Sequence, residues 1–440
     1  MPGLKVGIAQ VDYAPPVGLP LMGHLRDDYA SRGVHDPLFS KALVFANSSG
    51  EKLAVLSVDV CMLDRNEVGM MRDRIASQSD IPPERILIAA THIHSGPATM
   101  GIYAAPKADG AAVDAFLKRA AGAVLQANEN LMDATLRVGY AHEDRLSFNR
   151  RLRDKDGITH MNWEAFDPDS ITEALGPIDP QVLVLLVERQ DEPAAALVNF
   201  ALHPAILDYT NWLYSAGWPG YMAEGLRKIF GQGFITLFLN GCCGNVNHLD
   251  YRDPLAPSGY RMTQRVGYML AAAVKEAANS AVGVVGDELS AASQTVALER
   301  IQIGDEDCEW ALHALESSQP TGGLDGLPTE HIAPTWIEMR KHQDRSDAVE
   351  VMALRVGEVG FAALPGEIFC EFGLYLKERS PAKHTVVVEL ANDGAGYFPT
   401  REAFDQGGYE VTPGATKYVP GSSERLVDSA LRQLETLYGK

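Results

Sequence analysis

The sequence predicts an α/β fold in which central, largely buried β-sheets are flanked by helices. Short apolar runs recur along the 440-residue chain, most of them rich in Val, Ile and Leu, and amphipathic windows separate them. Runs without strict alternation are typical of strands buried on both faces, and a 3.6-residue apolar period is typical of helices that pack on a sheet. No internal repeat is visible in the residue pattern.

The predicted elements follow these two patterns in order. The apolar runs predict strands at 5–10, 42–46, 53–60, 86–90, 136–140, 182–187, 195–201, 234–239, 351–356, 359–364 and 385–390. The amphipathic windows predict helices at 65–76, 112–128, 221–230, 260–278, 307–316, 335–342, 368–379 and 424–438. In the last helix, Val427, Leu431, Leu434 and Tyr438 share one buried face.

We predict a single domain over residues 1–440. Segment 316–334 is rich in Gly, Pro and Ser, and we interpret it as a surface loop excursion from that domain. It does not divide the chain into two domains, because segments with catalytic chemistry occur on both sides of it.

Composition excludes several classes of function. The chain has 58 acidic and 38 basic residues, so its formal net charge of −20 disfavours binding to nucleic acids and to anionic membranes. No run approaches the roughly 18–20 apolar residues of a membrane helix, and the first residues lack the apolar segment of a signal peptide. The five cysteines do not suggest a disulfide framework. We therefore expect a cytoplasmic protein without integral membrane association.

Several predicted strands run directly into polar or glycine-rich turns, which is where open α/β sheets bind ligands. His92 and His94 follow the run 86–90 in the segment THIHSGP. In extended backbone their imidazoles point to one face, about 7 Å apart. They favour one metal ligand beside a second functional imidazole, with two ordinary histidines of the surface or core as the alternative.

Three further strand ends carry candidate ligands, each of which also has an ordinary structural explanation. A lone His203 is more typical of a structural histidine, Glu367 suits the first turn of a helix, and Tyr397 suits core packing with a bonded hydroxyl. Together, two imidazoles, a carboxylate and a phenolate oxygen form a donor set for Zn²⁺ with room for water or substrate. Such an ion lowers the pKa of bound water to about 7 and polarises a carbonyl, which allows amide or ester hydrolysis at neutral pH.

The same segments resemble, in order, those of the neutral/alkaline ceramidases, a family of zinc-dependent amidases. The resembling segments are Met22-Gly23, GVHDPLFSKALVF at 33–45, SVDV at 57–60, THIHSGP at 91–97, FNRR at 148–151, NFALHP at 199–204, LPGE at 364–367, LANDGAGYFPT at 390–400 and GGYE at 407–410. The resemblance covers nearly the whole chain. It implies a ceramidase-like catalytic domain, as in a short bacterial-type relative without the C-terminal immunoglobulin-like domain of typical members.

The resemblance implies roles for individual residues. His94 would contact the scissile carbonyl or the tetrahedral oxyanion, Arg150 would orient polar groups of the substrate, and Tyr409 would donate a hydrogen bond near the reacting carbonyl. The implied zinc ligands are His92, His203, Glu367 and Tyr397.

The segment GCCGNVN at 241–247 departs from the family pattern SNxGDVSPN. Gly241 stands where the family has an active-site serine, and Asn245 stands where it has an aspartate. We expect Gly241, Cys242 and Asn245 to border the substrate, and we interpret Cys242 as a small buried thiol, not a nucleophile. The substitutions favour a substrate that is smaller or more polar than ceramide.

The predicted function is a zinc-dependent hydrolase that cleaves an amide bond of a small or polar substrate through metal-activated water. A zinc-dependent esterase or lactonase on the same scaffold is an alternative, since the same chemistry serves both bonds. A small-molecule binding protein that has lost catalysis is a second alternative, and it is motivated by Gly241. The predicted partner is a small molecule, and no oligomeric state is predicted.

Overall fold

The apolar runs form strands whose two faces are both buried, in a computed structural model that describes residues 3–101, 105–253, 258–316 and 328–439. In one such strand, Leu43 and Phe45 face a central core, whereas Ala42 and Val44 face the helices that cover the sheet. Successive residues of the strand therefore point alternately into two hydrophobic cores. Because both faces are buried, apolar residues do not alternate with polar ones along these strands.

The first unit is a sheet covered by two helices. The strands are β1 (Lys5–Asp12), β2 (Phe39–Ala46), β3 (Lys52–Val58), β4 (Ile86–Ala90) and β5 (Met132–Asp133), and the helices are α1 (Arg65–Gln78) and α2 (Gly110–Glu129). The strand order in the sheet is β4-β3-β2-β1-β5, with β3 and β4 parallel and the other neighbours antiparallel.

The second unit repeats this arrangement. Its elements are β6 (Thr135–His142), β7 (Gln181–Arg189), β8 (Glu192–Phe200), α3 (Gly217–Phe230), β9 (Ile235–Asn240), α4 (Tyr260–Asn279) and β10 (Val282–Gly283). The strand order in the sheet is β9-β8-β7-β6-β10, with β8 and β9 parallel and the other neighbours antiparallel.

The third unit contains β11 (Leu289–Glu299), α5 (Asp305–Glu316), α6 (Thr329–His342), β12 (Ser346–Val356), β13 (Val359–Ala363), α7 (Cys370–Arg379), β14 (His384–Val388), α8 (Arg401–Gln406) and α9 (Ser422–Tyr438). The strand order in its sheet is β11-β12-β13-β14, with β13 and β14 parallel and the other neighbours antiparallel. Short strands outside the three large sheets are Gly33–Val34 with Leu213–Tyr214, Phe148–Asn149 with Val246–Asn247, Glu367–Ile368 with Tyr397–Phe398, and the sheet of Arg151–Asp154, Thr159–Met161 and Ile171–Ala174.

The three units therefore share one chain path, in which three antiparallel strands, a helix, a parallel strand and a second helix follow one another. The inner faces of the three sheets meet in one central core, and each outer face packs on its own helices. Side-chain hydrogen bonds cross between the units, such as Ser57 Oγ to the Phe238 carbonyl at 2.6 Å and Asn199 Nδ2 to the Val387 carbonyl at 2.9 Å. The strand ends of the three units are thereby held together.

A pair of helices, α5 and α6, is inserted between β11 and β12. They share a small core formed by Ile303, Ala311, Ile332, Ala333 and Trp336, against which Leu25 and Tyr409 pack. In the predicted surface loop 316–334, residues 317–327 lie outside the described residues, and α6 begins at Thr329.

The predicted strands and helices all correspond to observed ones, so the predicted α/β class is confirmed. Strand β11 was not predicted, because it lies at the edge of its sheet and its middle residues Ser293, Gln294 and Thr295 are polar and solvent-facing. Among the described helices, none has the length and apolar character needed to cross a lipid bilayer.

Glycine permits the same close contact in the first two units. A Cβ atom at Gly7 of β1 would lie 1.8 Å from the Ala127 carbonyl oxygen of α2, and one at Gly139 of β6 would lie 1.9 Å from the Ala277 carbonyl oxygen of α4. Both obstacles are backbone atoms, so a side chain at either position requires the whole helix to move.

We expect Gly7→Ala to lower the free energy of unfolding by about 3 kcal/mol or more, because α2 must shift away from β1. Gly122→Ala is the matched control, since Gly122 lies in α2 with open space around a Cβ. That substitution should raise the free energy of unfolding by about 0.5–1 kcal/mol. Denaturant unfolding of both variants measures the two effects, and equal stability of the two would contradict the contact.

The start of α1 makes stability depend on pH. The Glu67 carboxylate accepts the Asp64 amide at 2.9 Å in a capping box and is only 5% exposed. Burial raises the pKa of Glu67 from 4.5 to about 7. The folded state therefore holds a proton that the unfolded state loses between these values, and the contribution of Glu67 to stability falls as pH rises through that window.

We expect Glu67→Gln, which keeps the capping acceptor, to gain up to about 3 kcal/mol relative to wild type between pH 5 and pH 8. The measurement is denaturant unfolding of both proteins at the two pH values. A wild-type–variant difference that does not change with pH would show that Glu67 titrates normally in the folded protein.

Candidate metal centre

The ends of parallel strands from all three units meet at one place. His92 follows β4 of the first unit, His203 follows β8 of the second, and Glu367 follows β13 of the third. Backbone bonds tie these ends together, from the Asn392 amide to the Ile88 carbonyl at 2.8 Å and from the Glu389 amide to the Asn240 carbonyl at 3.1 Å. The fold therefore brings together residues that are far apart in sequence.

The imidazoles of His92 and His203 face each other through their Nε2 atoms, which lie 2.8 Å apart. Nδ1 of His92 lies 2.9 Å from the Cys61 carbonyl oxygen, and Nδ1 of His203 lies 3.4 Å from that of Cys243. A carbonyl only accepts hydrogen bonds, so in the neutral form of each ring Nδ1 carries the proton and Nε2 directs its lone pair into the site.

Glu367 adds a third electron-rich atom. Its Oε2 lies 3.3 Å from Nε2 of His92 and 3.5 Å from Nε2 of His203. This oxygen is buried and has no hydrogen-bond partner among the described residues. Two lone pairs and a carboxylate oxygen this close in a buried place repel one another unless a cation lies between them, and nitrogen and oxygen donors suit Zn²⁺. The described residues thus fit a metal ion.

The protonation of the cluster points the same way. Burial disfavours an imidazolium at His92, but interaction with Cys61 and with the Glu367 carboxylate outweighs it and raises the pKa of His92. Burial and the nearby His92 charge hold the pKa of His203 well below its ordinary value. The Glu367 carboxylate thus favours a positive charge within the cluster.

Tyr397, the fourth predicted ligand, lies beside Glu367 in a group of aromatic rings. Its ring centre is 5.4 Å from that of Tyr409, and burial raises the pKa of its hydroxyl well above the usual value. The Arg150 guanidinium lies 5.3 Å from the Tyr397 ring centre and 5.8 Å from that of Tyr409. Arg150 is buried and is not among the residues that line the cavity described below, so its predicted contact with substrate stays a prediction.

A buried carboxylate, Glu410, fixes this group and was missed in the sequence. Its Oε1 accepts from Arg150 Nε at 2.7 Å, and its Oε2 accepts from Arg151 Nη1 at 2.7 Å. A Glu directly after the predicted Tyr409 carries no sequence signal of a buried role. The two arginines neutralise it and orient Arg150 against the tyrosines.

His94 lies close to His92, although the backbone at His92 is not extended as the spacing argument assumed but has a φ of 65°. Its Nε2 is 3.4 Å from Nε2 of His92, and its Nδ1 has no hydrogen-bond partner among the described residues. The ring packs edge-on against His24 with centres 4.6 Å apart. Gly23, at φ 109°, allows this placement, because a Cβ there would lie 2.4 Å from Cγ of His94.

Cys61 forms a second possible donor set with His92 and His94. Its Sγ lies 3.7 Å from Nδ1 of His92, the nitrogen that also bonds the Cys61 carbonyl. This set shares His92 with the first and uses the nitrogen that is already protonated. We therefore take His92, His203 and Glu367 as the metal-holding set.

Gly241, Cys242 and Asn245, which the sequence placed beside the substrate, do not line the cavity. Asn245 accepts the Cys370 amide at 2.8 Å through Oδ1 and donates to Glu371 at 2.9 Å through Nδ2, so it holds the start of α7. Cys242 belongs to the core of the third unit, where burial raises the pKa of its thiol. Gly241 packs on Ala201, where a Cβ would lie 3.1 Å from the Ala201 amide nitrogen.

Glu389 is a second buried acid that the sequence did not reveal. Its Oε2 accepts the amides of Cys243 at 3.0 Å and Ile368 at 2.9 Å, and its Oε1 accepts the Cys243 thiol at 2.9 Å. Burial raises the pKa of Glu389 to about 7. Glu389 therefore joins Cys243, whose carbonyl bonds His203, to Ile368, which follows Glu367. In the sequence, the one sign of this buried role was an acidic residue at the end of a Val-rich strand.

A cavity of about 380 Å³ opens onto these residues. His92, His94, Glu367, Tyr397 and Tyr409 line one part of it. Most of the remaining wall is apolar, with methionine side chains prominent, and α6 covers it. The methionines are Met22, Met62, Met100 and Met339. Methionine walls adapt to flexible apolar ligands.

Known proteins resemble this chain over about half or nearly all of its length. The neutral ceramidase of Pseudomonas aeruginosa is 23% identical over 506 residues, which cover 98% of this chain and 72% of that protein. Neutral ceramidase B of Dictyostelium discoideum is 24% identical over 226 residues, which cover 48% of this chain and 30% of that protein. The crystal structure of the Pseudomonas aeruginosa enzyme superposes with a TM-score of 0.78 at 19% identity, covering 99% of this chain and 75% of the other.

Residues 4–247, more than half of the chain, match the family described as neutral/alkaline non-lysosomal ceramidase, N-terminal. Neutral ceramidases are hydrolases, and the structural likeness extends the shared fold beyond the matched residues. The chain belongs to the neutral/alkaline non-lysosomal ceramidase family.

Proposed function

We propose that this protein is a zinc-dependent hydrolase that cleaves the amide bond of an acylated small molecule. The observation that carries the proposal is the set of His92 Nε2, His203 Nε2 and Glu367 Oε2, which approach within 2.8–3.5 Å of one another beside an apolar cavity. Related proteins named neutral ceramidases support the amide, because ceramides are fatty-acid amides.

His92, His203 and Glu367 would hold the zinc, with the Tyr397 hydroxyl beside them as the fourth donor. A zinc ion held there supplies a Lewis acid for the carbonyl and lowers the pKa of water, which makes hydrolysis feasible at neutral pH. The carbonyl partners of the two Nδ1 atoms keep both Nε2 lone pairs aimed at the ion.

His94 and Tyr409 are the proposed hydrogen-bond donors for the carbonyl oxygen as it gains charge. Both line the cavity next to the metal-holding residues, and Nδ1 of His94 has no partner among the described side chains and backbone. A preorganised donor of this kind is worth about 10²–10³ in rate. Arg150, held by Glu410, acts as a positioning residue for the rings of Tyr397 and Tyr409.

The cavity walls favour a substrate with an apolar acyl group. This differs from the small or polar substrate expected from the sequence, an expectation that rested only in part on Gly241 and Asn245. Because those residues hold α7 and core contacts and do not line the cavity, their identity does not limit the substrate directly. The same placement weakens the case for a binding protein without catalysis.

We expect His92→Ala to lose its zinc, whereas His94→Ala should keep near-stoichiometric zinc and lose about 10²–10³ in hydrolysis rate. The reason is that His92 lies in the ligand set and His94 beside it. Metal analysis of the purified proteins and an amide-hydrolysis assay measure the two quantities.

His142→Ala is the control, because that histidine side chain is 67% exposed and lies away from the cavity. It should match wild type in zinc and rate. Near-stoichiometric zinc in His92→Ala would remove His92 from the ligand set.

We expect wild type to hydrolyse N-dodecanoyl amides faster than the corresponding dodecanoyl ester and a lactone of similar size. A chelator should abolish the turnover and added Zn²⁺ should restore it, because the residues near the carbonyl act only together with the ion. Release of dodecanoate or opening of the lactone is followed by mass spectrometry. Turnover of the ester or lactone alone would favour the esterase or lactonase alternative, and tight binding without turnover would favour a binding protein.

A further inference from the structure

Lys417 lines the same cavity as the proposed metal centre. It is partly buried, and its ammonium has no hydrogen-bond or ion-pair partner among the described residues. Asp393 and Asp347 attract it electrostatically, but neither forms an ion pair with it. A half-buried ammonium without a close anion is costly, and in a chain of net charge −20 it is unexpected.

The other charges at this part of the cavity are already paired. Arg300 makes a two-point contact with Asp347 at 2.7 and 3.0 Å. Glu338 accepts from Lys341 at 2.8 Å and lies 3.1 Å from Nε2 of His342. Apart from the histidines, Lys417 is therefore the cation without an ion-pair partner among the described residues that line the cavity, and it is available to a ligand.

The backbone fixes Lys417 relative to the metal centre. The Tyr397 amide donates to the Ala415 carbonyl at 3.0 Å, two residues before Lys417. The Ile301 amide donates to the Lys417 carbonyl itself at 2.9 Å. Tyr397 and Ile301 thus hold the segment 415–417 by its backbone, which fixes Lys417 in the wall of the cavity that Tyr397 also lines.

We infer that Lys417 binds a carboxylate of the substrate, and that the protein hydrolyses N-acyl amino acids. The inference rests on the proposed amide hydrolysis. The acyl chain would lie along the methionine wall, the amide at the metal centre and the carboxylate at Lys417. A carboxylate fits better than a phosphate, because one ammonium near the acids Asp393 and Asp347 matches a single negative charge.

The reaction is a simple hydrolysis. The oxygen of water joins the acyl carbon, the C–N bond breaks, and the departing nitrogen takes a proton from that water. The products are a fatty acid and a free amino acid.

The test compares N-dodecanoylglycine with N-dodecanoylethanolamine, which replaces the carboxylate with a neutral hydroxymethyl group. We expect wild type to prefer the glycine conjugate in kcat/KM. Lys417→Gln should lose about ten- to hundredfold on that substrate, mainly through KM, and little on the neutral one. Lys417→Arg should retain most of the preference, because it keeps the positive charge.

Lys341→Gln is the matched control, since it also removes a positive charge near the cavity but from a lysine paired with Glu338 and outside the lining. It should leave the preference unchanged. Unchanged thermal unfolding of the Lys417 variants shows that they are folded. Equal losses on both substrates in Lys417→Gln, or no preference in wild type, would overturn the inference and leave the amidase proposal standing.

Calorimetric titration of N-dodecanoylglycine separates the two proposals. If wild type binds it, Lys417→Gln binds it at least about tenfold more weakly and neither protein cleaves any amide, the carboxylate site stands and the amidase proposal fails. If Lys417→Gln binds it as tightly as wild type, the carboxylate site is ruled out whatever the catalytic result.

Discussion

The close approach of His92 and His203 is the interaction on which the rest of the structure depends. Their Nε2 atoms lie 2.8 Å apart, and backbone carbonyls at both Nδ1 atoms prevent either ring from turning its lone pair away. His92 also has a φ of 65°, a costly conformation for a residue with a side chain. Such a pair persists only in a scaffold stable enough to oppose it, and it becomes favourable once a cation is shared.

Two buried acids supply much of that rigidity. Glu389 joins the loops next to His203 and Glu367 through two backbone amides, and Glu410 holds Arg150 and Arg151 behind the tyrosines. Each carboxylate loses its hydration, and the hydrogen bonds it accepts largely offset that cost. Neither acid reaches the cavity, so their effect on function runs through the position of the residues that do.

The sequence predicted the fold class and the strand ends that carry His92, His203 and Glu367, because continuous apolar runs followed by polar turns are local signals. Glu389, Glu410 and Lys417 could not be predicted, since a single charged residue has no local mark of what it will face. The expectation that Gly241, Cys242 and Asn245 border the substrate came from resemblance alone, and the bonds of Asn245 to Cys370 and Glu371 have no local mark in the sequence. The threefold repetition of topology could not be predicted from the sequence, because the three units share a pattern of buried positions but not the residues at those positions.

That repetition explains why the donors meet. In each unit the third and fourth strands are parallel, so both end at the same edge, and the central core brings the three edges together. The first unit supplies His92 after its fourth strand, the second His203 after its third, and the third Glu367 and Tyr397 after its third and fourth. No one unit carries the whole set of proposed donors, so an ion held there would bridge all three units. Metal binding and the packing of the units would then stabilise each other, because an ion that binds only the assembled junction favours the assembled state.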